Sequence, residues 1–384
     1  MANRGCRLLS GIVTFDGAPP PGTINLGIGQ PSPDLLPVEL VHAASNAFFA
    51  TADPLQLNYG PVAGDPGFLP SLAQFLSAGY SLPTTADELF ETGGNSQAMD
   101  LVSTVFARPG DTVFVEEPSY FLAFQVFRDH DLNIVGIPID EDGLSVAALK
   151  DALEQHSPAF LYTIPTFHNP GGQSTTAERR QQIVELAKTH DFLIVADEVY
   201  QLLYYYEEPP PAYGTMTASE HVLSLGSFSK ILAPAMRLGW IQTSPKLLQQ
   251  ILANGFVNSG GCINHISAHI VRQAMDNGTL AQHIQVVQDS LRLRLEAMHD
   301  ALLEHFSDLA RWTKPTGGYF FWLQFDEAVD TGNLKHDAQQ QETGFQNGAV
   351  FSTRDGLKNY LRLSFAHYNE DDIRAGIKRL RTLF

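Results

Sequence analysis

Short apolar runs alternate with helical patterns from about residue 85 onward. The runs that predict strands lie at 112–116, 132–138, 159–164, 192–196, 222–225 and 239–242. Because these runs are nearly continuous and do not alternate with polar residues, we expect the strands to be covered on both faces. Strands that alternate with helices predict an α/β fold with a mostly parallel central sheet flanked by helices.

One stretch between the runs carries a clear helix signal. Thr175 to Glu178 have the spacing of a helix capping box. Ile183, Val184 and Ala187 then form a single apolar stripe. The pattern predicts an amphipathic helix that begins at this box.

The C-terminal third of the chain changes character. A long helical stretch is predicted from about 264 to 305, and its apolar positions include Val286 and Val287. Strands are predicted at 319–325 and 360–365, followed by a final amphipathic helix at 371–383. Together these elements are typical of a smaller α+β domain.

The length of 384 residues and the mass of 42.2 kDa suggest about two or three domains. Apolar residues make up 44% of the chain, so it can bury a large core. We therefore divide the chain into a large domain at 46–265, a small domain at 266–384, and an N-terminal segment at 1–45. The N-terminal segment is expected to pack with the small domain and the active-site cleft.

Charged residues are sparse but unbalanced. There are 24 Lys and Arg against 42 Asp and Glu, which gives a net charge of −18. Such a surface repels phosphate backbones and anionic headgroups, so we expect no nucleic-acid partner and no membrane partner. A local basic pocket for a small anion is still compatible with this balance.

The cysteine count bears on the compartment. Cys6 and Cys262 cannot build a disulfide framework or a four-thiolate zinc site. The N-terminal residues lack the apolar core of a signal peptide, and no apolar run reaches the roughly 18 residues of a membrane-spanning helix. The sequence thus predicts a cytoplasmic protein.

Polar residues that could carry chemistry follow three of the predicted strands. They are Asn169 after 159–164, Asp197 and Tyr200 after 192–196, and Ser227, Ser229, Lys230 and Arg237 after 222–225. Taken singly, each has an ordinary structural explanation, because a strand-end Asp is usually a cap and a turn lysine is usually a solvated charge. The carboxyl ends of parallel strands, however, meet at one edge of an open sheet, where ligands bind. We therefore expect these side chains to converge on one site.

The order and spacing of these residues are those of a known family. The set Asn169-Pro170-x-Gly172, Asp197-x-x-Tyr200, Ser227-x-Ser229-Lys230 and Arg237 resembles the pyridoxal-phosphate enzymes of fold type I. It is most similar to the class I and II aminotransferases, and among them to the kynurenine/α-aminoadipate branch. The resemblance runs from about Ile24 to the C-terminus. It implies a pyridoxal 5′-phosphate cofactor and a ping-pong transfer of an amino group between an L-amino acid and a 2-oxo acid.

The resemblance implies roles for the residues around the cofactor ring. Lys230 would form the internal Schiff base and carry the proton. Asp197 would hold the pyridine nitrogen protonated, so that the ring accepts electrons. Asn169 and Tyr200 would donate hydrogen bonds to the ring oxygen, and Tyr120 would stack on the ring face.

The resemblance also implies a phosphate site. Its donors would be Gly94, Asn95, Ser96, Ser227, Ser229 and Arg237. Tyr59 matches a tyrosine that reaches the phosphate of the neighbouring subunit, which implies a homodimer. The alternative is that Tyr59 is an ordinary loop residue.

Substrate recognition is implied for Arg362, which lies among apolar residues on a predicted strand and suits a bidentate carboxylate clamp. Asn169 and Gly29 would line the same subsite. No second arginine is assured for a side-chain carboxylate; the candidates are Arg4, Arg7, Arg128 and Arg354. We expect aromatic or long-chain amino acids as substrates.

Two other functions keep the same residues or the same fold. One is a different pyridoxal-phosphate reaction, such as β-elimination, decarboxylation, racemisation or oxidation. The other is the effector-binding domain of a transcription regulator. The regulator is disfavoured because the chain begins almost directly in the fold and its charge of −18 opposes DNA contact.

A histidine pair needs separate mention. His265 and His269 are spaced i, i+4 and could ligate a metal. No carboxylate or cysteine near them completes a set of known spacing. We therefore interpret them as histidines on a helix face and predict no metal.

Overall fold

The computed structural model describes residues 19–80, 82–261 and 263–384. Arg4, Cys6, Arg7 and Cys262 lie outside the described residues. The strands are β1 Ile24–Asn25, β2 Leu89–Thr92, β3 Thr112–Glu117, β4 Asn133–Asp140, β5 Gly143–Leu144, β6 Pro158–Thr163, β7 Leu193–Asp197, β8 Val222–Ser227, β9 Gly239–Thr243, β10 Phe320–Gln324, β11 Thr343–Gly344, β12 Gln346–Asn347 and β13 Tyr360–Ser364. The helices are α1 Val38–Thr51, α2 Phe68–Tyr80, α3 Asn95–Phe106, α4 Phe121–Asp129, α5 Val146–Leu153, α6 Ala177–His190, α7 Pro245–Leu252, α8 Gly255–Gly260, α9 His265–Asp276, α10 Thr279–Phe306, α11 Lys335–Gln340 and α12 Glu370–Arg381.

One large sheet dominates the fold. Its strand order is β2-β9-β8-β7-β6-β3-β4-β5. β9 is antiparallel to both neighbours and β5 is antiparallel to β4, while the other pairs are parallel. The strands β3, β6, β7, β8 and β9 are buried along nearly their whole length. The prediction of a mostly parallel α/β sheet is confirmed.

The burial prediction is wrong for β4. Ile137 is buried, whereas Asn133, Pro138 and Asp140 are exposed and the remaining positions are half-buried. β4 is followed in the sheet only by the two-residue β5. It therefore lies near the sheet edge and is not enclosed as the central strands are.

Helix α6 starts close to the predicted capping box. The cap is Thr176, whose side chain accepts a hydrogen bond from the Arg179 amide, so it stands one residue later than predicted. The Thr175 amide instead donates to the Pro165 carbonyl at 2.8 Å, which ties Thr175 to the preceding turn. The three apolar positions predicted for the inner face of the helix are buried.

The helical stretch predicted from 264 to 305 consists of two helices, α9 and α10. Gly278 separates them with a φ of 77°, a left-handed conformation that suits glycine. Val287 is buried, as predicted for the apolar face, but Val286 is 59% exposed. Successive helical residues point about 100° apart, so the two valines cannot share a face.

The C-terminal part is a smaller α+β unit. β13 pairs with β10 on one side and β12 on the other, antiparallel in both cases. α10 and α12 pack against each other. The N-terminal part joins this unit, because β1 pairs with β11 and the Leu26 carbonyl accepts a hydrogen bond from the Ser364 amide at 2.7 Å.

The domain limits drawn from the sequence stay a prediction. Within the described ranges, no helix combines the length and the apolar character that crossing a membrane requires.

Candidate active site

A cavity of about 910 Å³ lies at the carboxyl ends of the central strands. It is lined by most of the residues that the sequence predicts for the site. These are Gly29, Asn95, Ser96, Tyr120, Asn169, Asp197, Tyr200, Ser227, Ser229, Lys230, Arg237 and Arg362. Gly94 directly precedes Asn95, whereas Tyr59 does not line the cavity and is 84% exposed. Lys230 follows β8 and Arg362 lies on β13, so both parts of the fold build the site.

Asp197 ends β7 and is buried. Asn95 Nδ2 donates to Oδ1 at 2.7 Å, and the Tyr162 hydroxyl donates to Oδ2 at 2.8 Å. Burial raises the pKa of Asp197, and the two donors act in the opposite direction. A buried carboxylate held by neutral donors favours a cationic N–H group on its open side.

The Asn95 side chain does not point where we expected. We predicted it among the phosphate donors, but its amide is taken by Asp197. Only the backbone N–H of Asn95 is left for an anion. That N–H belongs to the first turn of α3, where Gly94 has a φ of 87° and its position supplies no side-chain cap. Free amides at a helix N-terminus attract anions.

Three further donors surround this helix end. The Ser227 and Ser229 hydroxyls lie 2.9 Å apart, and the Ser229 amide donates to Ser227 Oγ at 3.1 Å. The Arg237 guanidinium donates to the carbonyls of Gly93 and Pro234, which are neutral acceptors. Arg237 also adopts a φ of 46°, which is rare for a non-glycine residue and typical of functional sites.

Lys230 is a half-buried amine. Its Nζ donates to the Gly29 carbonyl at 3.0 Å and lies 5.2 Å from the centroid of the Tyr319 ring. Burial, and then the charge of Arg362, lowers the pKa of Lys230 to about 8, against the opposite pull of Asp197. A larger fraction of this amine is therefore neutral near pH 7 than for an ordinary lysine, and a neutral amine can act as nucleophile or base.

Arg362 is buried with neutral partners. Nη1 donates to Asn169 Oδ1 and Nη2 donates to the Gly27 carbonyl, both at 2.9 Å. Nε is buried without a hydrogen-bond partner among the described residues. The guanidinium carbon lies 4.1 Å from the Phe320 ring centroid. Burial lowers the pKa of Arg362 to about 10, so it stays charged near neutrality, and an anion would stabilise it.

Two tyrosines line the cavity as neutral phenols. Burial raises the pKa of Tyr120 to about 12, and it raises the pKa of Tyr200 well above its ordinary value. The Tyr200 ring lies 5.4 Å from that of Tyr319. Both hydroxyls thus stay protonated near neutrality and can donate hydrogen bonds.

The sequence pattern did not reveal two residues of the site. Tyr162 lies in an apolar run, which predicts only a buried strand. The signal for its role is its position on β6, the strand beside β7, which ends in Asp197. Lys335, the first residue of α11, lines the cavity, and burial lowers its pKa. Nothing in its local sequence indicates this position. Arg128 and Arg354, two of the arginines considered as partners for a carboxylate on the substrate side chain, do not line the cavity.

A family model described as aminotransferase class I and II matches residues 21–380. The chain belongs to this family. It is a pyridoxal-phosphate-dependent aminotransferase of fold type I. The match spans the large sheet, the small sheet and every residue described above as lining the cavity.

Named relatives agree with the family. The aromatic-amino-acid aminotransferase 1 of Thermococcus litoralis is 34% identical over 363 residues, which are 93% of this chain and 87% of that protein. The crystal structure of a multiple substrate aminotransferase from Thermococcus profundus has a TM-score of 0.89 and 32% identity, and covers 94% of this chain and 91% of that chain. The kynurenine aminotransferase of Pyrococcus horikoshii has a TM-score of 0.88 and 31% identity, with coverage of 94% and 90%. The similarity to the kynurenine branch is confirmed.

The site fits the cofactor of this aminotransferase family. The open N-terminus of α3 with Ser227, Ser229 and Arg237 offers donors for a phosphate. Asp197 offers an acceptor for a protonated ring nitrogen, and Lys230 offers an amine for an aldehyde. When bound, pyridoxal phosphate supplies an electron sink for the carbanion that forms at the substrate α-carbon.

Proposed function

We propose that this aminotransferase transfers the amino group of an aromatic or long-chain L-amino acid to a 2-oxo acid, as a homodimer in the cytoplasm. One observation carries the proposal. The Lys230 amine, the Asp197 carboxylate and the Arg362 guanidinium lie on the wall of one cavity, with Lys230 half-buried and the other two buried. None of the three has a charged hydrogen-bond partner among the described residues, so ligand groups of opposite charge can pair with the carboxylate and the guanidinium. The low cysteine count supports the cytoplasmic location.

Arg362 binds the substrate α-carboxylate in this proposal. Its two outer nitrogens already donate to Asn169 and Gly27, which orients the guanidinium plane. Gly29 leaves room beside it, because a Cβ at this position would lie 3.4 Å from Arg362 Nη2 and 3.1 Å from the Phe320 ring. A planar guanidinium held in this way binds a carboxylate through two parallel hydrogen bonds.

Lys230 moves the substrate α-proton. Its lowered pKa, about 8, keeps part of the amine neutral at physiological pH, as a general base requires. The Gly29 carbonyl at 3.0 Å orients the amine. Because Gly29 also adjoins Arg362, the base and the carboxylate-binding group lie on the same side of the cavity.

The other site residues hold the cofactor. Asp197 would hold the ring nitrogen protonated, supported by Asn95 and Tyr162. Tyr200 and Asn169 line the cavity and would donate hydrogen bonds to the ring oxygen. Tyr120 also lines the cavity and would pack against the ring.

The remaining wall suits an aromatic or long side chain. Phe121, Leu122 and Phe345 line the cavity and give it an apolar part. Lys335 adds a partly buried amine that can meet a polar or anionic end of a long side chain. The names of the relatives from T. litoralis and P. horikoshii, which refer to aromatic amino acids and kynurenine, support this choice.

Single amino acids mixed with the purified protein test the reaction. We expect phenylalanine or kynurenine to change the cofactor absorbance and to yield the matching 2-oxo acid. Addition of another 2-oxo acid should then restore the original absorbance. The matched control is the corresponding amine without its carboxylate. It should react about 100-fold more slowly, because Arg362 then stays buried without an anion.

The same assay separates the alternatives. Release of ammonia, carbon dioxide or peroxide would select elimination, decarboxylation or oxidation, and loss of optical activity would select racemisation. Absence of any spectral change with every amino acid, in protein that holds cofactor, would favour an effector-binding domain. No feature of the cavity favours one of these reactions over transamination.

Exposed apolar side chains support the homodimer. Leu57 is 65% exposed, Tyr59 is 84% exposed and Phe256 is 67% exposed. Their two segments adjoin, because a Cβ on Gly261 would lie 2.2 Å from the Gly60 carbonyl oxygen. Neighbouring large apolar residues on a surface are typical of protein interfaces. A second copy of the chain would cover them and bring Tyr59 to the phosphate site of that copy.

Mixing two impaired variants tests the shared site. Tyr59→Phe should weaken cofactor binding about 10- to 100-fold, because it removes one hydrogen bond to a charged phosphate. When Tyr59→Phe is unfolded and refolded with Lys230→Ala in equal amounts, hybrid dimers should restore about a quarter of the sites at limiting cofactor. Specific activity of the mixture is the measurement.

A second mixture provides the control for the Tyr59 experiment. Lys230→Ala and Asp197→Asn alter the same site of one chain, so their hybrids contain no intact site. This mixture should recover no activity. Equal recovery in the two mixtures, or none in either, would contradict the contribution of Tyr59 to the neighbouring subunit.

A further inference from the structure

Three metal-binding side chains meet outside the catalytic cavity. His265 and His269 lie one turn apart on α9, and Asp65 lies in the segment that leads into α2. One ligand atom from each residue lies within 4.8 Å of the other two. None of the three lines the catalytic cavity. The sequence-based interpretation, in which no carboxylate completes the histidine pair, overlooked Asp65 because it lies far away along the chain.

Possible donor atoms of the three residues lie near one another, and both nitrogens of His265 take part in these short distances. The two Nε2 atoms are 3.3 Å apart. Asp65 Oδ2 lies 3.7 Å from His269 Nε2 and 3.9 Å from His265 Nδ1. In a tetrahedral zinc site, with bonds of about 2.0–2.2 Å, neighbouring donors lie about 3.3–3.5 Å apart. Only one nitrogen of His265 can bind the ion, and with one ligand atom from each residue the set spans up to 4.8 Å, so side-chain movement must bring the three atoms together around an ion.

The polar atoms of the cluster are not satisfied by the protein alone. His265 Nδ1 is buried and has no hydrogen-bond partner among the described residues. Its distance of 3.9 Å from Asp65 Oδ2 is too long for a hydrogen bond. Buried polar atoms are usually paired, so an unpaired imidazole nitrogen facing a carboxylate indicates a missing partner.

The surroundings hold two of the ligands in place. Asp65 Oδ1 accepts the backbone amides of Gly67 and Phe68, which leaves Oδ2 for the histidines. The His269 ring stacks on Phe48 at 4.7 Å with an angle of 12°. Fixed ligand orientation of this kind is what metal sites require.

We propose that Asp65, His265 and His269 bind one divalent transition-metal ion, with zinc as the best match. Two imidazoles spaced i, i+4 on a helix and one carboxylate form a donor set that suits zinc, nickel or copper better than magnesium or calcium. The fourth position is open on the side of His265, which is partly exposed. Water or a small anion would occupy it.

The ion would stabilise the backbone next to the proposed phosphate site. The Asp65 amide donates to Glu91 Oε2 at 3.2 Å, and the Asn264 amide donates to Glu91 Oε1 at 2.8 Å. The Asn264 side chain in turn donates to the carbonyls of Met236 and Arg237. The metal would therefore tie α9 to the start of α2 and support the turn that carries Arg237.

Metal titration of the holoenzyme tests the site. The protein is stripped with a chelator, dialysed, and titrated with Zn²⁺ in competition with a chromogenic chelator. We expect one ion per chain, an increase in the unfolding temperature with added Zn²⁺, and the visible absorption of four-coordinate cobalt when Co²⁺ replaces zinc. The double variant His265→Gln/His269→Gln should lose this ion.

Two variants make the result decisive. Asp65→Asn keeps an oxygen for the amides of Gly67 and Phe68 but loses the anionic ligand, so it should fold and bind Zn²⁺ at least about 100-fold more weakly. His190→Gln/His305→Gln also removes two histidines, both distant in sequence from the cluster, and should bind like the parent protein. The proposal is overturned if the parent binds no more Zn²⁺ than Asp65→Asn, or if the control pair loses as much.

Discussion

Lys230→Ala should lower kcat/KM for transamination by at least about 10³- to 10⁴-fold, because it removes both the amine nucleophile and the base that moves the α-proton. Among the described residues, Lys230 and Lys335 are the two lysines that line the cavity, and Lys335 lies on α11 in the C-terminal unit. Water in such a site cannot replace an amine whose pKa is about 8. Steady-state kinetics with phenylalanine, and borohydride reduction followed by peptide mass spectrometry, measure both losses.

Lys246→Ala is the matched control for the lysine variant. Its side chain is 63% exposed and pairs with Glu220 on the surface, so the change should leave kcat/KM within a factor of about two. If Lys230→Ala retained covalently attached cofactor, or kept more than a tenth of the parent activity, the assignment of Lys230 would be wrong. Cofactor content measured alongside separates a loss of chemistry from a loss of binding.

Asp197→Asn should lower kcat by about 10²- to 10³-fold with little change in fold. The amide has the same shape and can still accept the hydrogen bond from Asn95, but it carries no charge to hold a ring nitrogen protonated. Breaking a buried ion pair by neutralising one partner costs about 3–5 kcal/mol. Single-turnover kinetics and the pH dependence of the cofactor absorbance report the loss directly.

Glu198→Gln is the control that separates loss of the carboxylate facing the cofactor site from loss of a buried carboxylate in general. Glu198 is the next residue, equally buried, and lies 3.8 Å from the Arg180 guanidinium outside the cavity. Its amide variant should destabilise the protein in a thermal unfolding experiment while the folded fraction keeps its kcat. Equal losses of kcat in both variants would show that Asp197 acts through stability and not on the cofactor.

The strands could be predicted because their signal is local. Apolar runs such as 222–225 and 239–242 form β8 and β9, and each run is visible in the sequence without knowledge of the neighbouring strands. Burial itself depends on neighbours, and for that reason the burial predicted for β4 is wrong. The break at Gly278 shows the same limit, since one glycine can sit within a helix or end it.

The site could be predicted where its residues follow strands in a recognisable order. Asp197, Lys230 and Arg237 were found in this way, and the cavity contains them all. Tyr162 and Lys335 could not be predicted in this way. Tyr162 resembles a residue of the hydrophobic core, and the sequence around Lys335 carries no signal for a site residue. The direction of the Asn95 side chain was also beyond the sequence, since a second acceptor, Asp197, competes for it across the fold.

The fold class, the family and the residue types that follow the central strands can all be predicted from the sequence, since each is encoded in short, contiguous patterns. The three-dimensional structure is needed to show which side chains face each other. Arg362 meets Asn169, and Asp65 meets His265 and His269, across separations that no local pattern records. Contacts of this kind depend on how helices and sheets pack, and packing is set by the whole chain at once.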